Sequence, residues 1–179
     1  MYEAFHNNAR IKEEAQDILR IPFLTEEYAQ YVILACEELG TWKPFDPDKY
    51  STHDIHFEKD LPDLFTAIED HLNDDVFPRV AQWWGVEGFE ISDMFAVKYS
   101  DDTQTSLKLH HDDSFISASI KLNDNYKGAD LIFPTRNFSN KEVSVGDLLV
   151  WPGQITHPHK CNELLEGTKY SLTIWTKQC

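Results

Sequence analysis

The second half of the chain carries a hydrophobic pattern of period two, which is typical of β-strands. In FISASIKL, the apolar residues Ile116, Ala118, Ile120 and Leu122 alternate with serine and lysine. Side chains two residues apart lie on the same face of a strand, so this pattern places one apolar face against a core. Similar segments follow from Phe89 onward, separated by turn signals: FEISDMFAVKY, LIF, EVSV, LLVW and YSLTIW. This succession of short strands predicts an all-β sandwich or barrel.

The beginning of the chain has the spacing of helices instead. Residues 1–20 are polar with a weak helical pattern, and Ile21–Thr25 predicts a short strand or entry segment. Thr25 is a good N-cap, because its hydroxyl can accept a hydrogen bond from the first turn of a helix. Apolar residues then recur at helical spacing until Gly40, which predicts the end of this helix. The two prolines within 42–50 predict a loop.

A second helix is predicted from about Leu61 to Val76, where apolar residues again share one face. Pro78 is expected to interrupt it, and a short turn should carry Trp83 and Trp84. Helices first and strands later predict helices packed outside a β-core. A length of 179 residues fits one domain.

Composition excludes several classes of protein. The net charge of −15 argues against a nucleic-acid binder, which needs clustered Lys and Arg. It permits a cationic substrate, although solubility is the commoner explanation of such a charge. No apolar run has the length of a membrane span. The three cysteines form no C-x-x-C motif, and the first 16 residues lack an apolar signal core. We therefore expect a reducing, cytoplasmic location and neither nucleic acid nor membrane as a partner.

A His-x-Asp pair stands where the alternating segment begins. His110 and Asp112 can point to the same side, and His111 with Asp113 offers the same spacing one residue later. One further imidazole would complete a set of two histidines and one carboxylate, which suits non-haem Fe(II) with open positions for oxygen chemistry. WPGQITHPHKC supplies two candidates, His157 and His159. The spacing alone leaves both choices open.

Two other groups of polar residues could belong to such a site. Lys169 follows ten residues after His159, where a base could hold the far carboxylate of a dicarboxylic cosubstrate, although a surface position is the commoner fate of lysine. THDIHF contains His53, Asp54 and His56, which could form another metal cluster. We favour a structural role for these three, or a place at the edge of the site.

The segment from Phe95 to Trp175 resembles the catalytic domain of the procollagen lysyl hydroxylases. These belong to the prolyl 4-hydroxylase-like branch of the 2-oxoglutarate and Fe(II)-dependent dioxygenases. Their pattern is a tyrosine-ended strand, S-L-x-x-H-H-D, a strand ending A-L-N, Y-x-G-G-G, H-P-G-x-x-T-H-x-H and G-T-R-Y. The corresponding segments here are Tyr99, SLKLHHD, SIKLN, YKGAD, WPGQITHPH and GTKY. THDIHF likewise resembles the family's T-x-D-I-H-M.

The resemblance implies a role for individual residues. It makes His110, Asp112 and His159 the ligands of Fe(II), Lys169 the partner of the 2-oxoglutarate C5 carboxylate, and Tyr99 a wall of the same pocket. No catalytic residue is implied beyond the metal centre, and His111 and Asp113 are candidates to orient the imidazoles. The cofactors implied are Fe(II) and 2-oxoglutarate, with ascorbate as an optional addition.

The fold implied is a double-stranded β-helix, or jelly roll, as in cupins. It would be a mainly β domain over residues 1–179, with helical support over about 1–85 and the jelly-roll core over about 86–179. The implied reaction is hydroxylation of an unactivated C–H bond, with succinate and CO2 as co-products. The expected substrate is a small-molecule or peptidyl amino acid, with a lysyl side chain preferred, and a homodimer is allowed.

Three departures from the pattern keep other substrates open. Lys169 stands where lysyl hydroxylases have arginine and prolyl hydroxylases have lysine. Gly128–Asp130 replaces the triple glycine, and Trp151–Gly153 replaces H-P-G; we expect both segments near the substrate entrance. The alternatives are a prolyl, free amino-acid or small-metabolite hydroxylase, a cupin-like metal-binding protein without oxygenase activity, and a non-catalytic binding relative.

Overall fold

The computed structural model of the chain describes residues 3–44 and 52–179. The strands within these ranges are β1 (Lys12–Ala15), β2 (Ile18–Pro22), β3 (Lys43–Pro44), β4 (His53–His56), β5 (Phe89–Tyr99), β6 (Leu107–His110), β7 (Ile116–Lys121), β8 (Tyr126–Gly128), β9 (Leu131–Phe133), β10 (Phe138–Ser139), β11 (Asp147–Pro152), β12 (His159–Cys161), β13 (Leu164–Gly167) and β14 (Lys169–Gln178). The helices are α1 (Glu26–Leu39), α2 (Phe57–Asp60), α3 (Pro62–His71) and α4 (Phe77–Trp84).

Two antiparallel sheets form the β-core. The large sheet has eight strands in the order β1-β2-β11-β7-β14-β5-β4-β3, and the small sheet has four in the order β10-β9-β12-β6. Strands β13 and β8 pair separately. Sequence neighbours are thus often not sheet neighbours, as expected when a chain winds between two facing sheets. The predicted mainly β architecture with bracing helices is confirmed.

The large sheet separates two buried clusters, because successive side chains of each strand lie on opposite faces. Met94 and Ala96 of β5 pack with helix residues such as Val32 and Ile68. Phe95 of β5 instead packs towards the small sheet. The alternating residues from Ile116 to Leu122 all belong to the helix-facing cluster, as their period predicts.

The polar residues of β7 do not face solvent. Ser117 is fully buried, Ser119 lines a cavity between the sheets, and the Nζ of Lys121 donates to the carbonyl of Val143 at 2.9 Å. Both faces of this strand are therefore interior, one apolar and one polar. The polar face is what makes room for a site.

Helix α1 begins and ends as its sequence predicts. The Thr25 hydroxyl accepts a hydrogen bond from the Tyr28 backbone N–H at 3.3 Å, which satisfies one of the unpaired donors of the first turn. Gly40 ends the helix in the left-handed conformation, with φ of 64°. The buried face of this helix lies against the large sheet.

The weak helical pattern of residues 1–20 was misleading. Strands β1 and β2 form a hairpin there, and β2 pairs with β11 of the large sheet. Ile18 joins one buried cluster while Leu19 and Ile21 join the other, so this segment is buried on both faces. Tertiary pairing overrides a weak local preference here.

The prediction for the second helical region was right about helicity and wrong about its interruption. Helices α3 and α4 are joined by one π-helical turn, Leu72–Val76, and Pro78 lies in the first turn of α4. A proline is tolerated there because its missing N–H has no intrahelical partner to lose. Trp83 and Trp84 belong to the last turn of α4 and not to a separate turn.

The predicted division near residue 86 does not exist in the structure, since β1 to β4 precede it and all belong to the large sheet. The predicted loop 42–50 contains β3, and its residues 45–50 lie outside the described ranges. None of the described helices combines the length and the apolar character needed to cross a lipid bilayer.

A close backbone approach fixes the loop after β11. A Cβ added to Gly153 would lie 1.8 Å from the carbonyl oxygen of Ser114, far inside contact distance. The Gly153 N–H donates to the Phe115 carbonyl at 3.0 Å, and the Gln154 N–H donates to the Asp112 carbonyl at 2.8 Å. The segment 112–115 therefore depends on this glycine for its position.

We predict that Gly153→Ala lowers the thermal unfolding midpoint by several degrees, because two backbone segments must separate to admit the methyl group. The control is Gly88→Ala, whose new Cβ would have only an ordinary contact, 3.8 Å from the Cys179 sulfur. Equal midpoints for the two variants, measured by circular dichroism, would contradict the prediction.

Candidate active site

A cavity of about 310 Å³ lies between the two sheets. Its walls include every residue that the sequence suggested for a metal and cosubstrate site: His110, Asp112, His159, Lys169 and Tyr99. The first three lie at one wall, on or beside the small sheet, and the last two belong to the large sheet. The cavity therefore connects a candidate metal centre with a buried cation.

Strand register brings the two histidines together. His110 ends β6 and His159 begins β12, and these residues are direct partners in the antiparallel pairing. Asp112 follows β6 by two residues. Its carboxylate oxygens lie 3.7 Å from the Nε2 of His110 and 3.6 Å from the Nε2 of His159. One ligand atom from each residue falls within 4.8 Å of the other two.

Backbone carbonyls fix the orientation of both imidazoles. His110 Nδ1 lies 2.8 Å from the Lys108 carbonyl, and His159 Nδ1 lies 2.9 Å from the His157 carbonyl. A carbonyl only accepts, so each Nδ1 carries the proton, and each Nε2 has its lone pair directed at Asp112. The side chains of His111 and Asp113 were candidates for this orienting role, with a solvated turn the favoured place for Asp113. The backbone two residues before each ligand performs it instead.

The charge state of the group suits a divalent cation. Burial lowers the pKa of His159, although Asp112 opposes this, so the imidazole is neutral at pH 7. Asp112 is buried, and its Oδ2 accepts no hydrogen bond from any residue in 3–44 or 52–179. A buried carboxylate needs a donor or a cation. Two imidazoles and this carboxylate fit Fe(II).

The structure also shows where the alternative candidates lie. His111 and Asp113 are exposed, and they reach only the mouth of the cavity. His157 points elsewhere, since its Nε2 lies 3.3 Å from the Nε of Arg136 and 3.2 Å from the Gln16 carbonyl. Within the described ranges, the group of His110, Asp112 and His159 is the only cluster of three ligand-type side chains.

Lys169 is 2% exposed and faces the cavity. Its Nζ donates to the Ala129 carbonyl at 2.7 Å, lies 3.3 Å from the Cys161 sulfur, and stands 4.8 Å from the centre of the Tyr99 ring. No carboxylate of the described chain lies within 4.0 Å of it. A buried cation without an anion is costly, so this end of the cavity suits an anionic ligand.

Tyr99 is the direct cross-strand partner of Lys169 in the β5–β14 pairing. Burial, followed by the neighbouring Cys161, raises the pKa of Tyr99 well above its usual value, so the hydroxyl stays protonated. The segment Gly128–Asp130, which replaces the triple glycine, also lies beside Lys169, because the carbonyl that accepts from Lys169 belongs to Ala129. Its place near the substrate entrance stays a prediction.

Asp54 lines the cavity, a position that the sequence allowed only as the edge of the site. It pairs with Val97 in the β4–β5 register, so it faces the cavity while its neighbour Ile55 faces the helices. Burial raises the pKa of Asp54 to about 7, with Asp93 adding to the increase, and a hydrogen bond from Thr52 and the charge of His56 oppose it. The period-two pattern of THDIHF was the available signal.

The second metal cluster considered for THDIHF does not form. His53 lies 2.9 Å from the side-chain oxygen of Gln104, and His56 lies 3.0 Å from the Oδ1 of Asp93. Of these three residues only Asp54 lines the cavity. The expectation of a structural role, or of a place at the site edge, agrees with these contacts.

We predict that Asp54 makes the metal-free chain less stable as pH rises from about 4 to about 7. The folded state holds the Asp54 proton up to about pH 7, whereas the unfolded state releases it near 3.8, so deprotonation opposes folding in this interval. The free energy of unfolding of Asp54→Asn should match that of the parent chain near pH 4.5 and exceed it by a few kcal/mol near pH 7.5. Urea unfolding at both values measures this, and a pH-independent difference would contradict it.

Comparison with known proteins was made by sequence and by structure. No family model matches the chain. Human procollagen-lysine,2-oxoglutarate 5-dioxygenase 2 is 27% identical over 173 residues, which cover 89% of this chain and 23% of that protein. Rat procollagen-lysine,2-oxoglutarate 5-dioxygenase 1 is 26% identical over 177 residues, covering 89% and 24%. The chain spans about a quarter of the length of these curated relatives.

Solved structures share the fold. The viral collagen prolyl hydroxylase of Paramecium bursaria Chlorella virus-1, in its 2-oxoglutarate complex, gives a TM-score of 0.66 at 14% identity and covers 91% of this chain and 97% of that one. A Pseudomonas putida prolyl-4-hydroxylase also gives a TM-score of 0.66, at 18% identity, and the match covers 91% of this chain and 93% of that one. The predicted jelly roll is confirmed. The chain is similar in sequence to the procollagen-lysine dioxygenases and has the fold of the 2-oxoglutarate and Fe(II)-dependent oxygenases.

Proposed function

We propose that this chain is an Fe(II)- and 2-oxoglutarate-dependent hydroxylase. The observation that carries the proposal is one cavity that contains both a two-histidine, one-carboxylate group and a buried lysine with no anionic partner among the described residues. The first suits the metal and the second suits the far carboxylate of the cosubstrate. The names of the relatives and of the structural neighbours support the same chemistry.

His110, Asp112 and His159 would hold the metal. Bound Fe(II) would couple the decarboxylation of 2-oxoglutarate to the insertion of one oxygen atom into a C–H bond, with succinate and CO2 as co-products. The carbonyls of Lys108 and His157 keep both imidazoles aimed at the site. Trp151 and Phe133 pack around His159, with ring centres 5.2 Å from its own, and keep water from this ligand.

Lys169 would neutralise the C5 carboxylate of 2-oxoglutarate at the other end of the cavity. Tyr99 is placed beside it, with a protonated hydroxyl that can donate to the same anion. A lysine offers a point charge where the lysyl hydroxylases have the fork of an arginine. This anion site argues against a cupin-like protein that uses the three ligands without 2-oxoglutarate.

The substrate we propose is an amino acid with a lysine-like side chain, either free or within a peptide. The resemblance through both ligand motifs and THDIHF supports it, and the net charge of −15 favours encounter with a cation. Proline and other neutral substrates are the alternatives, because Lys169 follows the prolyl hydroxylase pattern. Ascorbate enters the proposal only as an assay additive.

We also propose that residues 1–179 act as one catalytic domain. A homodimer and a cytoplasmic location stay predictions from the sequence.

The function is tested by incubating the chain with Fe(II), 2-oxoglutarate and a panel of lysine, proline and peptide substrates. We expect succinate together with a product heavier by one oxygen atom, detected by mass spectrometry. Omission of either the metal or 2-oxoglutarate should abolish both. Oxidation of proline but not lysine substrates would reject the lysine-like substrate and leave the dioxygenase activity standing.

We predict that alanine at His110, Asp112 or His159 abolishes stoichiometric binding of Fe(II), because each supplies one of three ligand atoms. Anaerobic titration with Fe(II) measures this without turnover. His157→Ala is the matched control, since this buried histidine lies two residues from His159 and bonds away from the cavity. Loss of binding in His157→Ala and retention in His159→Ala would reverse the choice of ligand.

We predict that Lys169→Ala raises the KM for 2-oxoglutarate by two orders of magnitude or more, since removing one side of a desolvated charge pair costs about 3–5 kcal/mol. Lys169→Arg should have a smaller effect. Lys121→Ala is the control, because this buried lysine donates to the Val143 carbonyl and does not line the cavity. An unchanged KM in Lys169→Ala would remove the cosubstrate role from this residue.

A further inference from the structure

The cavity contains a further buried carboxyl group, Asp54, which the proposed metal and cosubstrate do not use. Asp54 is 4% exposed, and the Thr52 hydroxyl donates to its Oδ2 at 2.9 Å. Its Oδ1 is buried and accepts no hydrogen bond, and no basic side chain of the described chain lies within 4.0 Å of the carboxylate. The Oδ1 atom of this cavity carboxyl group therefore lacks a donor within the described residues.

We propose that Asp54 is the specificity-determining residue that binds the cationic group of the substrate, an ammonium or a guanidinium. This inference rests on the proposed function, since it assigns a cavity carboxyl group that has no role in holding the proposed metal or 2-oxoglutarate. The Oδ1 atom has no hydrogen-bond partner, and a cationic donor bound to it would favour the ionised form of the carboxyl group, which burial alone disfavours. A charged donor gives the stronger bond in a site of low dielectric.

The other components of the reaction do not suit this position. The metal is accounted for by the three clustered ligands, and Asp54 is not among the residues within reach of them. 2-Oxoglutarate is a dianion, which a second carboxylate would repel. The third component is the substrate that is hydroxylated. Among the substrate classes considered, one with a positive charge would gain binding energy from an ionic contact with Asp54.

The walls near Asp54 also suit a cation with an apolar stem. Val97, its direct partner across β4 and β5, is buried and lines the cavity. Phe95 and Trp175 line it too, with ring centres 5.0 Å apart in an edge-to-face arrangement. Methylene groups pack on such surfaces, and an ammonium is attracted to aromatic faces. A cavity that combines this carboxyl group with apolar and aromatic walls suits a lysine-like side chain.

The test compares substrates that differ only in the ammonium group. Lysine and norleucine are offered as free amino acids, and again as the single variable residue of one short peptide, to the chain loaded with Fe(II) and 2-oxoglutarate. The parent chain should prefer lysine, and Asp54→Asn should lower kcat/KM for lysine by about 30-fold or more, since one side of a buried charge pair is lost. Norleucine values should change little. A preference for lysine over norleucine among the free amino acids indicates a free substrate, and the same preference within the peptide indicates a peptidyl substrate.

Two further variants separate recognition from structure. Asp54→Glu keeps the charge and should restore part of the preference for lysine. Asp93→Asn removes an equal charge that acts on Asp54 from outside the cavity, and it should keep the preference. Unchanged discrimination in Asp54→Asn, or a parent chain that oxidises norleucine as well as lysine or only neutral substrates, would overturn the proposal.

Binding is measured separately by calorimetry without oxygen, so the result does not depend on turnover. If the parent chain binds lysine more tightly than norleucine and Asp54→Asn abolishes this preference, the cation site is supported. If the same parent chain forms no succinate, the hydroxylase function alone is overturned. Equal affinities of the parent chain for lysine and norleucine would overturn the cation site alone.

Discussion

The antiparallel pairing of β6 with β12 is the interaction on which the candidate site depends. It places His110 directly opposite His159, and it leaves Asp112 two residues beyond the end of β6, between the two rings. A shift of one residue in this register would turn one imidazole to the other face of the small sheet. The close contact of Gly153 with Ser114 then holds the segment after Asp112 in place. The ligand geometry is thus a property of backbone pairing.

The large sheet serves the site in a different way. One of its faces is apolar and packs on the helices, which supplies the hydrophobic stabilisation of the domain. The other face can then carry polar residues such as Ser119, Lys169 and Asp54 inside the cavity. Period-two alternation makes this separation possible, because neighbouring residues of one strand experience two different environments.

Three buried ionisable groups in the cavity lack a partner within the described chain: one carboxyl oxygen each of Asp112 and Asp54 accepts no hydrogen bond, and Lys169 has no anion beside it. Each costs stability in the empty protein, and each matches one component of the proposed reaction: a divalent metal, a dicarboxylate and a cationic substrate. Binding any of them should therefore also stabilise the fold. Preorganised charges of this kind need no rearrangement when the ligands arrive.

The sequence by itself determined the class of fold and the shortlist of site residues. Period-two alternation and the cap at Thr25 are local signals, because strand faces and helix ends are set by neighbours within a few residues. The motif resemblance supplied residue roles that remain to be tested by metal and cosubstrate binding. Local patterns failed for residues 1–20 and at Pro78, where sheet pairing and a π-turn overrode weak preferences.

Only the tertiary structure decided which polar groups meet. The spacing left His157 and His159 equivalent, and they differ because β12 begins at His159 while His157 bonds to Gln16 and Arg136. Asp54 looked like one of three polar residues in a strand, and its position across from Val97 placed it in the cavity. These distinctions arise from strand pairing between segments more than 40 residues apart in the chain. No short-range pattern encodes such pairings, because they depend on how both sheets close around the same space.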